Sequence, residues 1–256
     1  YWDCLYVEIT ILFLFISVTA VLIAGISKGG FGSGVSFICT PILAIVIEPT
    51  IALGLMLPLL MLMDIVSIKL YWKKWCILNA RVLILGSLFG ITTGVLFYRV
   101  ASADFLRVII GLISISFVLY QVMHKKLFFN KAISKFNSKL GIAMGFLAGF
   151  TSFISHAGGP PVAVFLLSQG VNKTLYQATT VICFSVINIF KIFPYAYFGF
   201  INKETLTVSL LLSPAAIIGT LIGAYAHKVF SEKLFLHTTY FLLMIAGSKL
   251  IFDGLT

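Results

Sequence analysis

Apolar residues run along this chain in long blocks, broken by brief polar stretches, from near the first residue to the last. The blocks are Ile9 to Ala24, Val35 to Ile47, Ile51 to Ile68, Asn79 to Tyr98, Ala103 to Val122, Lys139 to Ile154, Pro160 to Gln169, Leu175 to Phe198, Leu206 to Tyr225 and Leu234 to Phe252. Most approach the ~20 residues a helix needs to cross a ~30 Å hydrocarbon layer. The blocks are solid rather than alternating, which predicts helices and excludes the short dyad-patterned strands of a membrane barrel. Pro160 to Gln169 is too short to span and reads as half a helix. The expected fold is an all-α polytopic membrane protein, one transmembrane domain over residues 1–256.

Two glycine-rich interruptions punctuate the pattern. Gly25 to Pro41 reads Gly-Ile-Ser-Lys-Gly-Gly-Phe-Gly-Ser-Gly-Val-Ser-Phe-Ile-Cys-Thr-Pro, and Gly149 to Pro161 reads Gly-Phe-Thr-Ser-Phe-Ile-Ser-His-Ala-Gly-Gly-Pro-Pro. Glycine costs about 1 kcal/mol against alanine inside a helix, so a continuous helix through the first stretch is not expected. Broken backbone at membrane depth is tolerated only where it is buried in protein or lines a wet cavity. A pair of such interruptions in corresponding halves points to a transporter's binding site.

The halves do correspond. Gly90-Ile-Thr-Thr-Gly94 leads to Tyr98, Arg99 and Val100; at an offset of 129, Gly219-Thr-Leu-Ile-Gly223 leads to His227, Lys228 and Val229, and Ser102 matches Ser231. Repeat one covers about 9–122, repeat two about 139–253, and residues 123–138 link them. Each half holds five hydrophobic segments, an odd number, so the second should be inverted relative to the first. The paired glycines themselves read as small-xxx-small helix-packing positions.

Composition agrees with the pattern: 60% of residues are apolar, 10% are charged, and mean hydropathy is +1.10, where soluble domains carry about a quarter charged residues. The net charge of +10 changes the picture only through its placement. Lys69, Lys73, Lys74 and Arg81, then Lys125, Lys126, Lys131, Lys135 and Lys139, mark two cytoplasmic loops by the positive-inside rule. Counting back puts Tyr1 outside, with Asp3, Glu8, Glu48 and Asp104. Lys173, His227, Lys228 and Lys233 come out inside, and Lys203 and Glu204 outside. Charge confined to loops speaks for a lipid bilayer as the partner and against nucleic acid. Cys4, Cys39, Cys76 and Cys183 are scattered without ligand spacing, so neither a disulfide, a metal nor another cofactor is expected. Tyr1 to Glu8 has no basic residue and lacks the positive start of a secretory signal. Oligomeric state is not legible.

Candidate chemistry gathers at the breaks. Helix N-termini there present free N–H groups, and glycine lets an anion approach the backbone closely. Gly29, Gly30, Gly32 and Gly34 fit that role in the first half, and Gly158 and Gly159 in the second. Ser27, Ser33, Thr151, Ser152 and Ser155 add hydroxyls. Lys28 at membrane depth costs roughly 2.5 to 3.5 kcal/mol and needs a partner, water or an anion, unless it snorkels to the interface. His156 beside the second break can donate to an anion or carry a proton. Asp64, with Ser67 one turn on, is a candidate proton relay or a partner for Lys28 or Lys191. Asn188 and Lys191 form the matching i, i+3 pair in the second half. Gly25-Ile-Ser-Lys-Gly29 also matches the Gly-x-Ser-x-Gly nucleophile pattern, with His156 as conceivable base for Ser27. That pattern has meaning on a strand-to-helix turn, which the apolar flanks exclude.

The glycine-rich break before Pro41, the second break Ser155-His-Ala-Gly-Gly-Pro-Pro161 and the repeated halves together resemble the TauE/SafE family of sulfite exporters and sulfonate permeases, from about Ile9 to Phe252. The resemblance implies about eight membrane helices, which ten segments satisfy if each interrupted pair counts as one broken or re-entrant unit. It further implies a bacterial inner-membrane or plasma-membrane transporter of a sulfur-containing anion. Phe31 and Ser33 intrude where members often carry a run of glycines, and Phe31 would narrow a cavity there. The expected function is therefore a secondary transporter of sulfite or an organosulfonate, working by alternating access. A passive anion channel shares every residue feature, and an intramembrane serine hydrolase is the rival from another class.

Overall fold

The computed structural model describes residues 11–31, 39–127, 136–229 and 232–256, and all described secondary structure is helical. Helix α1 (Ile11–Ile26) continues into a wider π-helical turn (Ser27–Phe31). Then follow α2 (Cys39–Leu43), α3 (Pro49–Leu70), α4 (Ile77–Tyr98), α5 (Ala103–Leu127), α6 (Ser138–Ser155), α7 (Gly159–Ser168), α8 (Lys173–Tyr197), α9 (Lys203–Val229) and α10 (Glu232–Leu255). Among the described residues, six stretches are long and apolar enough to cross a membrane: Ile11–Gly30, Pro49–Leu70, Ile77–Tyr98, Ser138–Ser155, Lys173–Tyr197 and Lys203–His227. Helices α5 and α10, of 25 and 24 residues, lie against each other.

Local chemistry sets the helix starts. Pro49 occupies the first turn of α3, where a missing N–H costs nothing. Asn137, Asn172 and Asn202 each accept an amide N–H from three residues ahead, at 3.1, 2.9 and 2.9 Å. Such a cap contributes about 1 kcal/mol.

Of the first glycine-rich stretch, residues 25–31 and 39–41 are described, and the break expected within it falls on residues 32–38, outside the described residues. Helical backbone runs through Gly25, Gly29 and Gly30 instead of breaking at them. The reason is packing. A Cβ on Gly25 or Gly29 would strike the backbone of α9 at Ala216 to Thr220, and one on Gly30 would strike the Gly223 carbonyl. From the other side, Gly219 and Gly223 lie against Leu22 and Ile26. The gain from two backbones in close contact outweighs the helix propensity lost at each glycine. The same device recurs between α4 and α6, where Gly86 and Gly90 meet Ile142 and Phe146 while Gly145 and Gly149 meet Leu83 and Ser87. The small-xxx-small reading of Gly90, Gly219 and Gly223 is thus the structural one.

The second interruption is a true break. α6 stops at Ser155, His156 turns left-handed at φ 56°, and α7 restarts at Gly159. Its amides return to Ser152 O at 3.0 Å and, from Ala157, to Thr151 O at 3.3 Å, which satisfies the carbonyls a helix end leaves free. At 10 residues α7 is about 15 Å long, half a membrane crossing.

Two hydrophobic cores result. One joins α1, α2, α3 and α9 through Phe13, Val21, Leu43, Met56, Met63 and Leu212. The other joins α4, α6, α7 and α8, with Leu53 and Leu57 of α3, through Leu83, Ile91, Phe153, Phe165 and Ile187. They meet where α3 packs on α8. These are the inner helices: 67% and 61% of their apolar windows are buried, against 39–44% for the other four candidate spans.

Polar features sort to two ends. Tyr71, Lys173 and His227 share one, where the Lys173 ammonium donates to the His227 carbonyl at 3.0 Å. Glu48, Arg107 and Asp253 line a shallow pocket at the other, where Arg107 also pairs with Asp104.

Candidate functional site

The seam between the two cores is polar although it lies deep inside an apolar protein. It begins at the end of α1. Side chains from three elements reach consecutive carbonyls of the π turn. Gln177 Nε2 of α8 donates to Lys28 O at 2.6 Å, Tyr71 Oη to Gly29 O at 2.8 Å, and His227 Nδ1 of α9 lies 2.5 Å from Gly30 O. Tyr71 sits just past α3, and burial pushes its phenol up to about 12, so it stays a donor.

Lys28 turns inward rather than snorkelling. Its ammonium lies 2.9 Å from Asp64 Oδ1 and 3.1 Å from the Leu60 carbonyl, and both side chains are about 3% exposed. Asn188 Nδ2 donates to the other Asp64 oxygen at 2.8 Å. Asp64 therefore joins a lysine from α1 to an amide from α8, across the seam. The ion pair is fully desolvated, so its partners keep their charges only together.

One turn further along α8, Lys191 is completely buried. Its ammonium is 2.9 Å from Ser152 O, 3.1 Å from Ser152 Oγ and 2.6 Å from His156 Nδ1. It also lies 5.5 Å over the Tyr195 ring. Three acceptors match its three N–H bonds, but all are neutral. His156 Nε2 is 3.1 Å from the Leu53 carbonyl, which can only accept. That places a proton on Nε2, and a protonated Lys191 then donates to the Nδ1 lone pair of a neutral imidazole. Tyr195 in turn donates to Phe153 O at 2.6 Å and packs edge-on to His156. From Tyr195 an aromatic column of Phe200 and Tyr98, with ring centroids 5.0 and 4.8 Å apart, leads toward the Glu48 end.

The structure thus brings together Lys28, Asp64, Ser152, His156 and Lys191, drawn from four helices and a break. Gly158 abuts Ala148 O and the Phe184 ring, and Gly159 opens α7. Pro160 and Pro161 follow at once, so the amides free at that helix start are fewer than usual. Thr151 Oγ1 donates to Leu147 O and Ala157 O, and Ser155 Oγ to Thr151 O; both hydroxyls brace the break. Ser27 is buried on the π turn. Its helical setting, and the commitment of both His156 nitrogens to Leu53 and Lys191, leave the nucleophile pattern without its context. Gly32, Ser33 and Gly34 lie outside the described residues. Sequence reasoning missed Gln177, Tyr71 and Tyr195. Gln177 could have been found as an amide inside an apolar helix, whereas the tyrosines look like any interfacial aromatic.

The family model for the sulfite exporter TauE/SafE matches residues 17–250, nearly the whole chain. The chain belongs to the TauE/SafE family. Members of this family are membrane transporters rather than enzymes. No curated protein and no solved structure matches the chain.

Proposed function

We propose that this protein is a secondary transporter of a small sulfur oxyanion, sulfite or an organosulfonate, in the bacterial inner membrane. The observation that carries the reading is Lys191, a fully buried ammonium whose hydrogen-bond partners are all neutral. Burying an uncompensated charge is expensive, and an anion beside it removes the penalty. The anion would take the place of one neutral acceptor. Ser152 then offers its hydroxyl, and the free amides of Gly158 and Gly159 add donors at the start of α7. Asp64 is the proton carrier of this scheme, since its two oxygens bridge α1 and α8.

Eight membrane helices in two inverted repeats, with each interrupted pair counted once and the first residue outside, is the architecture that goes with this function. Ala216 to Gly223 on α9 and Leu83 to Gly90 on α4 each interlock with a helix of the opposite half. The units that rock against each other in alternating access are therefore the two mixed cores, not the repeats as such. The solute site lies at their seam, where opening either side parts polar contacts together with the packing of Leu53 and Leu57 on the second core.

Reconstitution into liposomes tests this. Sulfite or a sulfonate should be accumulated under an imposed ion gradient, and Lys191→Met should abolish uptake in protein that remains monodisperse. Wild-type flux in Lys191→Met, movement of unrelated metabolites with no sulfur oxyanion, or flux without accumulation under any gradient would each refute it.

A further inference from the structure

The net charge of the buried seam specifies the charge of the solute. Among the described residues the fully charged side chains that are buried are Lys28, Asp64 and Lys191, at 2%, 2% and 0% exposure. Lys28 and Asp64 cancel in a direct ion pair at 2.9 Å. Lys191 has no ion-pair partner among the described residues. His156 adds no charge as a neutral imidazole held at both nitrogens. The break residues outside the described set change nothing in this sum, because 32–38 contain no ionisable side chain. Of the eight acidic residues in the chain, Asp3, Glu8, Glu48, Asp104, Glu204, Glu232 and Asp253 flank apolar runs, and Asp64 lies inside one. With Lys191 protonated, the seam carries a surplus of one positive charge there.

We infer that the site takes an oxyanion bearing a single negative charge, such as hydrogensulfite or a monosulfonate, and rejects dianions such as sulfate. This rests on the transporter reading above and narrows its substrate class. A monoanion brings the seam to neutrality. A dianion leaves one negative charge buried among groups that have no further cation to offer, and the cost of such a charge in a dry interior is several-fold larger than that of a lost hydrogen bond. Size and oxygen geometry are similar within the class, so charge separates members that shape does not.

Competition in proteoliposomes decides the matter, with methanesulfonate as monoanion probe and ethane-1,2-disulfonate and sulfate as dianions. Methanesulfonate should compete with labelled solute at concentrations about 100-fold lower than either dianion. Asp64→Asn, which keeps the shape and raises the surplus by one, should shrink that preference at least tenfold when the same anions are compared by their protection of the detergent-solubilised protein in thermal unfolding. Lys191→Gln, which removes the surplus, should abolish protection by methanesulfonate in thermal unfolding of the detergent-solubilised protein. Equal competition by mono- and dianions overturns the charge inference and leaves sulfur oxyanion transport standing. If no sulfur oxyanion competes but acetate does so better than malonate, the substrate reading falls and the charge inference survives.

Discussion

Lys28 and Lys191 are buried to the same degree on either side of one seam, yet their surroundings differ in kind. Lys28 faces a carboxylate and a carbonyl, and so belongs to a closed ion pair. Lys191 faces a carbonyl, a hydroxyl and an imidazole, none of them charged. A paired lysine is structural: it ties α1 to α3 and, through Asp64 and Asn188, to α8. An unpaired one stores an unmet demand for negative charge. In the transporter proposed above, the contrast makes Lys191 rather than Lys28, where sequence reasoning had put the anion, the proposed solute ligand.

Breaking the pair on one side should produce the largest effect. Lys28→Met strands Asp64 in the apolar interior and should destabilise the protein by about 3–5 kcal/mol, read as a lowered unfolding transition in detergent. Lys28→Met combined with Asp64→Leu should recover most of that loss, because a buried ion pair replaced by apolar side chains is often neutral or stabilising. A double variant no better than the single one would show that the pair is not what holds Lys28.

Lys191→Met removes an uncompensated buried charge together with its hydrogen bonds, so its net cost should stay below about 1 kcal/mol, while transport disappears. Loss of stability comparable to Lys28→Met would erase the distinction between the two lysines. Next come the interlocks that hold each lysine's helix in place. Gly223→Ala forces α9 away from α1, and Gly149→Ala forces α6 away from α4. Each should cost about 1–3 kcal/mol by overpacking against backbone. The smallest effect is expected from Tyr71→Phe, which frees the Gly29 carbonyl that the phenol caps at 2.8 Å and should cost about 0.5–1.5 kcal/mol by thermal unfolding.

Much of this was legible in the residues before any coordinates. The helical class, the extent of most segments and the second break at His156 to Gly158 follow from hydropathy and from Gly-Gly-Pro-Pro, since they depend on local chemistry and bilayer thickness. Asp64, Lys28, His156 and Lys191 stood out because an ionisable group in an apolar run is costly wherever it points. The packing role of the first glycine run was not legible. Gly25, Gly29 and Gly30 looked like helix breakers, and whether a glycine breaks a helix or admits a neighbour depends on what lies opposite, here Thr220 and Gly223 nearly two hundred residues away.

Sequence alone determined that this chain is an all-helical membrane protein with a small set of charges it cannot hide. Only the tertiary structure decided which of those charges meet. Asp64 could have served Lys28 or Lys191, since both are within reach of a helix that passes them. The packing of α1 and α9 against α3 gave it to Lys28, and that left Lys191 with a surplus. Pairing is a matter of distances of about 3 Å between distant parts of the chain, and no local pattern encodes it.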